Sequence, residues 1–221
     1  MKKILFASIV ILGTNFSASS QAISQGSTVA EVYYGFPNLY KTTLEALAAD
    51  DAVNTSIGGY GPVGVRGEYL LSEKFGIGVD FMINNTSLAY DYIGYEYSGQ
   101  DADGNWLYAT DANGNLIETT YEDKVSTTKI GFMATLNYHI INTDRIDFCF
   151  TAGAGYKNRS WKYDSTDPAY VTDESVSSTV IPVAARIALN TRIFFTENIG
   201  ANIGVGVGQG GILTGGLSFA F

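Results

Sequence analysis

The sequence predicts an all-β chain that forms an eight-stranded antiparallel up-and-down transmembrane β-barrel. Three observations support this fold class. Apolar or aromatic residues alternate with glycine, small or polar residues in eight segments, and this is the period of a strand with two unlike faces. The connections are short on one side and mostly long on the other, and charged side chains within the segments lie on the small face. An even strand number with such connections is typical of a transmembrane barrel.

The first 22 residues predict a secretory signal peptide. Lys2 and Lys3 precede an apolar stretch at residues 4–13, and a small-x-small sequence ends at Ala22. The apolar stretch is too short to span a bilayer. We therefore expect a signal peptide at residues 1–22 and a barrel domain at residues 23–221.

The first four segments each have a continuous apolar face made largely of β-branched and aromatic side chains. In order, they are residues 27–36 with Val32 and Phe36, 60–71 with Val63 and Val65, 75–84 with Ile77 and Phe81, and 125–141 with Phe132 and Leu136.

The last four segments repeat the alternation, with glycine, alanine or other small residues common on the second face. They are residues 146–157 with Phe148 and Phe150, 179–194 with Ile187 and Leu189, 198–208 with Ile203 and Val205, and 211–221 with Leu217 and Phe219. Short turns at 72–74, 142–145, 196–198 and 209–210 join neighbouring segments. The long connections are residues 37–59, 85–124 and 158–178.

The small face separates a barrel from the alternative fold, a soluble β-sandwich. The outer face of a sandwich should be rich in lysine, glutamate, threonine and serine, because it meets water. The small face of this chain is instead glycine, alanine and serine with a few charges. It suits the crowded interior of an eight-stranded barrel.

Ionisable side chains on the small face are expected to pair inside the barrel. A charge that faces lipid costs about 2–4 kcal/mol near the midplane, whereas opposite charges in the lumen can pair. The predicted ion-pair network consists of Glu31, Arg66, Glu68, Asp80, Lys129, His139, Lys157 and Arg186. We expect it to fill the lumen against ion flow, with His139 hydrogen-bonded to Asn137, Arg66 or Glu68 rather than catalytic.

Composition argues against several function classes. Without Lys2 and Lys3 the chain has 11 basic and 22 acidic residues, so its net charge is 11 − 22 = −11, which disfavours a nucleic-acid partner. Cys149 is the only cysteine, so no internal disulfide forms. The G-x-G-x-x-G pattern at residues 206–211 precedes a strand rather than the helix of a dinucleotide site. We expect no cofactor, no resident metal and no enzymatic activity.

The longest connection, residues 85–124, has a net charge of 1 − 8 = −7 and contains "DADGN" and "DANGN". Asx-Gly pairs between apolar residues are typical of β-hairpins. A second interpretation is a cation site, because hard cations bind clustered oxygens; its ligands would be Asp101, Asp103, Asn105, Asp111 and Asn113. The many tyrosines of this connection, with Trp106, either bind a partner or pack the connection on itself.

Three stretches carry a family resemblance: "GVRGEYLLSEKFGIGVDF" at 64–81, "IPVAARIALNTRIFFTENIGANIGVGVG" at 181–208 and "GLSFAF" at 216–221. Together with the signal peptide, they resemble the small eight-stranded outer-membrane β-barrel proteins of Gram-negative bacteria. The resemblance implies a monomer in the outer membrane, surrounded by lipid and lipopolysaccharide. It also implies that the barrel-assembly machinery reads the aromatic residues Phe219 and Phe221.

The resemblance does not choose one function, since members of this group range from structural barrels and adhesion factors to solute conduits and lipid-modifying enzymes. We expect a structural or surface-binding role through the acidic, tyrosine-rich extracellular loops, with an extracellular ligand bound by residues 85–124. The alternative is a porin-like conduit for a small solute, and the third hypothesis is a lipid-modifying enzyme.

Overall fold

The structure is a computed structural model that describes residues 23–47, 53–170, 175–177 and 181–221. The predicted signal peptide, residues 1–22, lies outside the described residues. In chain order the elements are β1 (Thr28–Phe36), α1 (Leu39–Leu47), β2 (Val53–Leu70), β3 (Phe75–Tyr95), β4 (Tyr97–Gln100), β5 (Trp106–Tyr108), β6 (Glu118–Asn142), β7 (Ile146–Ser165), β8 (Ser175–Ser177), β9 (Val183–Phe194), β10 (Ile199–Gly208) and β11 (Leu213–Ala220).

Eight of these strands close into an antiparallel barrel. Their order around the ring is β1, β2, β3, β6, β7, β9, β10 and β11, and β11 pairs back onto β1. Val32, for example, is the cross-strand partner of Val65 on one side and of Leu217 on the other. Because each barrel strand has a partner on both sides, no open sheet edge has to face hydrocarbon. The closed ring confirms the predicted barrel and rules out the soluble sandwich.

The outer face of the ring is an apolar belt. Alternate side chains of every barrel strand point outward and are exposed, and nearly all of these within the belt are apolar. Aromatic members lie toward its two ends, with Tyr69, Phe75, Tyr138 and Phe150 near the short turns and Tyr34, Phe36, Tyr60 and Tyr156 near the long connections. Apolar strands between aromatic girdles are the lipid-facing surface of a transmembrane barrel. No helix in the described part of the chain is long and apolar enough to cross a membrane.

The inner face is polar and tightly filled, and glycines give its large side chains room. A side chain at Gly64 would collide with the ring of Tyr33, and one at Gly76 would collide with the carboxylate of Glu68. The small face of the sequence therefore lines the lumen, as predicted.

Four strands extend further from the membrane than the sequence analysis predicts. β3 continues to Tyr95 instead of ending at residue 84, β6 begins at Glu118 instead of residue 125, and β7 continues to Ser165. β2 likewise begins at Val53 rather than at residue 60. Beyond the belt both faces of a strand meet water, so the apolar alternation used for the prediction fades although pairing continues.

The first long connection contains a helix that the strand pattern did not predict. α1 begins after Asn38, whose Oδ1 accepts a hydrogen bond from the Lys41 amide at 3.3 Å, the arrangement of an N-cap. The Asn38 amide donates to Thr86 Oγ1 at 2.8 Å and to the Tyr60 carbonyl at 3.1 Å. On the other side, the Tyr40 ring packs edge-to-face on Trp161 of β7, with centroids 5.5 Å apart. The first turn of α1 therefore reaches from β2 and β3 to β7 at the outer mouth.

Candidate functional site

A single arginine organises the inner half of the lumen. The guanidinium of Arg192 donates to Glu31 at 2.7 Å, to Glu68 at 2.6 Å and to Asp147 at 2.8 Å. All four side chains are buried. The hydrogen bonds between the guanidinium and the three carboxylates are charge-assisted, and such bonds are stronger than those between neutral groups.

The network around Arg192 crosses the whole lumen. Glu68 lies on β2 and Arg192 on β9, which are opposite each other in the ring of eight. Ser218 on β11 donates to Glu31, and Asn202 on β10 donates to Ser218. With Asp80 on β3, His139 on β6 and Asp147 on β7, every barrel strand contributes to the connected lumen network. The arrangement obstructs the lumen at this level.

His139 lies between two carboxylates of the network. Its Nδ1 is 2.6 Å from Asp147 Oδ1 and its Nε2 is 2.9 Å from Glu68 Oε1. The ligand atoms of His139, Asp147 and Cys149 lie within 4.8 Å of one another, which is close enough for a metal. However, both ring nitrogens are engaged, and Arg192 already supplies a positive charge to Asp147. His139 and Asp147 are therefore members of the ion-pair cluster around Arg192.

Next to this cluster is a second group with a tyrosine. Arg66 Nε donates to Asp80 at 3.0 Å, and the Tyr33 hydroxyl donates to the other oxygen of Asp80 at 2.8 Å. The Arg66 guanidinium also lies over the Tyr33 ring, 3.9 Å from its centroid, and 3.5 Å from Glu31. Arg66 thus joins the two groups through Glu31.

Five of the eight side chains predicted for the network come together in the structure. They are Glu31, Arg66, Glu68, Asp80 and His139. The prediction is wrong for Arg186, Lys129 and Lys157, which have no carboxylate partner among the described residues. Arg186 instead donates to the carbonyls of Gln209 and Gly211. The strand register explains the difference, since Lys129 lies four residues closer to the outer end than Met133, the partner of Asp80.

Sequence reasoning missed the two residues that complete the network, Arg192 and Asp147. Both occupy inward positions of predicted strands, since residues an even number of positions apart on a strand share a face. Arg192 follows the buried Arg186 and Asn190 by six and two residues, and Asp147 precedes the buried Cys149 by two. The alternation of the two strands was therefore the signal that identifies them.

The assembly signal predicted from sequence lies on the lipid-facing side of β11 and the residue after it. Phe219 pairs with Ala30 of β1 and Ile199 of β10. Phe221 is exposed, and its backbone exchanges hydrogen bonds with Thr28 at 2.8 and 3.0 Å.

The outer end of the barrel carries a projecting sheet, here called the tyrosine arm, which comprises residues 88–124. β3 and β6 remain paired up to Tyr95 and Glu118, well beyond the belt. β4 and β5 pair across residues 101–105, and a bridge joins Thr110 to Leu116 across the second turn. The two "D-A-x-G-N" stretches are thus hairpin turns.

Both turns use the aspartate in the same way. Asp101 Oδ1 accepts hydrogen bonds from the amides of Asp103 and Asn105 at 2.9 and 2.8 Å, and Asp111 Oδ1 does the same with Asn113 and Asn115 at 2.8 and 2.9 Å. These bonds hold the pKa of both aspartates below the ordinary range. Because each leading carboxylate already has donors, the geometry favours the predicted hairpin turns over the second interpretation, a cation site formed by Asp101, Asp103, Asn105, Asp111 and Asn113.

Aromatic rings stack along the arm. The Tyr97 ring lies 5.2 Å from Tyr108, 5.1 Å from Trp106 and 6.3 Å from Tyr121, and Tyr121 lies 5.8 Å from Tyr92. Such contacts stiffen a two-stranded sheet that would be marginal alone.

Acidic side chains hold the phenols of the arm. The Tyr92 hydroxyl donates to Asp167 at 2.7 Å, and that of Tyr90 donates to Asp123 at 3.1 Å. Desolvation and the hydrogen bond to Asp167 raise the pKa of Tyr92, and desolvation with the nearby Asp167 charge raises that of Tyr97 to about 12. The nearby Asp167 carboxylate thus disfavours ionisation of both phenols.

One surface of the arm is apolar although it lies outside the belt. Ile93 is 69% exposed, Tyr108 51% and Tyr95 41%, and Tyr95 and Tyr108 pack with centroids 5.9 Å apart. These three residues, here called the arm patch, are accompanied by exposed Leu107 and Leu116. Part of the tyrosine set packs the arm, and the arm patch remains available for contact.

Comparison with known proteins finds barrels of low similarity. No family model and no curated protein matches the chain. Among solved structures, Ail, the attachment invasion locus protein of Yersinia pestis, is 10% identical with a TM-score of 0.40 over 89% of this chain and 99% of that one. The structure of the same protein in complex with the heparin analogue sucrose octasulfate is 9% identical to this chain, with a TM-score of 0.40, and covers the same shares of both chains. The N-terminal β-barrel domain of Pseudomonas aeruginosa OprF is 13% identical to this chain, with a TM-score of 0.34 over 90% of this chain and 100% of that one.

The fold rests on the strand pairing rather than on these similarities. A closed ring of eight antiparallel strands, an apolar belt and a polar, cross-linked lumen make the chain a small transmembrane β-barrel. Its candidate functional elements are the polar lumen network and the tyrosine arm.

Proposed function

We propose that this protein is an integral outer-membrane barrel that binds a partner through its extracellular tyrosine arm. A location in the outer membrane of a Gram-negative bacterium is supported by the closed barrel, because such barrels are the spanning structure of that membrane. The proposal includes removal of residues 1–22 during export, for which the support is the sequence pattern alone.

The observation that carries the binding role is the arm patch. Lipid cannot cover Ile93, Tyr95 and Tyr108, because β3 has left the belt about ten residues earlier, after Ile83. Exposed apolar and aromatic side chains on a stiff sheet are typical of a contact surface for another macromolecule. The ring stack and the acid–phenol hydrogen bonds hold the arm in one shape, which lowers the entropic cost of binding.

Charge indicates the kind of partner. Residues 85–124 carry a net charge of −7, and Glu96, Asp101, Asp111 and Glu118 lie near the patch in the sequence. An apolar centre with an acidic rim is complementary to a surface with an apolar contact and a basic rim. We therefore propose a basic protein surface as the partner.

The test uses cells or lipid vesicles that display the barrel and measures their attachment to films of basic proteins and to cell monolayers. In one variant, residues 96–117 are replaced by an Asn-Gly turn, which can join β3 to β6 because Tyr95 and Glu118 are cross-strand partners. A second variant combines Ile93→Ser, Tyr95→Ser and Tyr108→Ser. Both are expected to fold and to lose attachment.

A matched control combines Asp103→Ser, Asn113→Ser and Thr120→Ser, three exposed polar positions on the same arm. The control is expected to attach like the original protein. Attachment that survives both the removal of residues 96–117 and the patch substitutions would sink the proposal, as would equal losses in the control and patch variants.

A further inference from the structure

We propose that the outer mouth of the lumen contains a binding site for a phosphate-type anion. The site, here called the mouth pocket, is formed by Thr127, Lys129, Lys157, Arg159 and Gln209. It lies inside the barrel mouth rather than on the tyrosine arm, so it goes beyond the proposed function and does not depend on it.

Like charges face each other in the mouth pocket. Lys129 on β6 and Arg159 on β7 are direct cross-strand partners, and both occupy inward positions. Lys157 lies two residues from Arg159 on the same face and is the partner of Gly131. Directly opposed like charges destabilise a sheet, and among the described residues no carboxylate lies within 4.0 Å of the ammonium of Lys129 or Lys157. An anion between Lys129 and Lys157 would relieve the repulsion between these two lysines.

Two buried polar side chains of the pocket also lack partners. Thr127 is 6% exposed and its hydroxyl has no hydrogen bond; Gln209 is 2% exposed and neither atom of its carboxamide has one. Thr127 precedes Lys129 at the next inward position of β6. The carboxamide of Gln209 crosses from the β10–β11 turn to the opposite wall, where it packs on Gly131 so closely that a side chain there would collide with it.

Along β6, Thr127 and the contact of Gln209 with Gly131 lie on either side of Lys129. Leaving a buried donor without a partner costs about 1–3 kcal/mol, so such groups in a native fold call for a missing acceptor. An anion between Lys129 and Lys157 can accept a hydrogen bond from the Gln209 amide, which lies beside Gly131, the cross-strand partner of Lys157, and the two lysines would neutralise it.

The wall of the pocket is aromatic and partly enclosed. Trp161 is the cross-strand partner of Thr127, and Tyr40 of α1 packs on it. The Arg159 guanidinium lies 4.8 Å from the Tyr40 ring centroid and 5.9 Å from that of Trp161. Stacking of this kind fixes the planar guanidinium, and partial exclusion of water strengthens its attraction for an anion.

The chemistry favours a compact anion with more than one charge and several acceptor oxygens. A phosphate matches the two lysines and a neutral donor, whereas a single carboxylate would neutralise only one of the two ammonium charges. The acidic connections outside the mouth repel extended polyanions, so the phosphate arrives either as a small free solute or as the phosphate of a lipid headgroup.

The first experiment measures binding of inorganic phosphate by calorimetry to the full-length barrel in neutral detergent, free of lipopolysaccharide, with chloride at equal ionic strength as the reference. The double variant Lys129→Gln with Lys157→Gln removes two cations of the pocket. The control, Lys124→Gln with Lys162→Gln, removes two exposed lysines from the outer faces of the same strands. We expect about tenfold weaker binding for each pocket lysine removed and unchanged binding in the control.

A second readout separates a ligand site from a structural role. In phosphate-free buffer of low ionic strength, loss of Lys129 or Lys157 relieves repulsion and is expected to leave the urea midpoint unchanged or higher. A lower midpoint for either single variant would overturn the proposal, because it would mean that the lysine is already paired.

The third arm identifies the source of the phosphate. If soluble phosphate does not bind, the barrel is placed in vesicles that contain lipopolysaccharide with or without its lipid phosphates. A stabilisation that needs both the lipid phosphates and the two lysines assigns the pocket to a headgroup. No dependence on the lysines in either the soluble or the vesicle arm rejects the site.

Discussion

At the scale of single residues, Arg192 is the side chain on which the lumen most depends. Replacing it by alanine leaves Glu31, Glu68 and Asp147 buried around an empty position. Removing one partner from a buried ion pair costs about 3–5 kcal/mol. We expect Arg192→Ala to lower the free energy of unfolding in lipid vesicles by about that amount, measured by urea titration.

Two controls accompany this variant. Arg192→Lys keeps the charge but cannot reach three carboxylates with a planar fork, so an intermediate loss is expected. Arg145→Ala removes an exposed arginine from the β6–β7 turn and should change the free energy of unfolding by less than about 1 kcal/mol. A loss of similar size in Arg192→Ala and Arg145→Ala would contradict the central role of Arg192.

The direction of a lumen side chain could be predicted from sequence, but its partner could not. Alternation alone places Glu31, Arg66 and Glu68 inside, because one residue step reverses the face. Pairing depends on height in the barrel, which the stagger between strands determines. Lys129 and Arg186 share the inward face with the acids and still lie too far toward the outer end to meet them. The same limit applies to the mouth pocket, which no sequence pattern indicated.

At the scale of elements, the predictable part of each strand is the part in lipid. The belt segments of β3 and β6 contrast an apolar and a polar face, whereas their outer halves meet water on both sides. The two hairpin turns were predictable because an aspartate, a glycine and an asparagine at fixed spacing determine a turn locally. α1 was missed because its strongest signal is Asn38, a cap whose other hydrogen bonds are made to distant strands.

The turns of the tyrosine arm give a prediction about pH. Hydrogen bonds from Asn105 hold the pKa of Asp101 below its ordinary value of about 3.9, and those from Asn115 do the same for Asp111. A lowered pKa means that the carboxylates stabilise the turns fully above pH 4 and lose this effect as the pH falls through the lowered values. Carbonyl-carbon NMR titration should therefore give a pKa below 3.9 for both.

Asn105→Ala and Asn115→Ala provide the internal check on this titration. Each variant removes the side-chain amide that donates to one aspartate, at 3.0 Å for Asp101 and 3.1 Å for Asp111. Each should raise the pKa of its own aspartate and leave the other aspartate unchanged. A value at or above 3.9 in the original protein would show that the turns do not hold these carboxylates.

At the scale of the whole molecule, the barrel separates stability from recognition. The ring, the belt and the lumen network account for a stable transmembrane body, and they leave the tyrosine arm free of any part in closing the barrel. Variation in the arm therefore carries little cost to the fold, which is why loops on rigid scaffolds commonly carry function. The net negative charge lies in the long connections, outside the part of the chain that provides stability.

The last prediction concerns the alternative function, a conduit for solutes. Two barriers cross the lumen: the Arg192–Glu68 ion pair between opposite strands and, nearer the outer end, the Gln209 side chain against Gly131. In planar bilayers we expect no resolved conductance steps from the original protein, nor from Arg192→Ala, because the outer barrier is independent of the inner one. The combination of Arg192→Ala with Gln209→Ala removes both barriers and is expected to produce brief openings. A compact band that shifts on boiling in SDS verifies that each variant is folded. Steady conductance from the original protein would show that the lumen is open and would favour the conduit over a closed, surface-binding barrel.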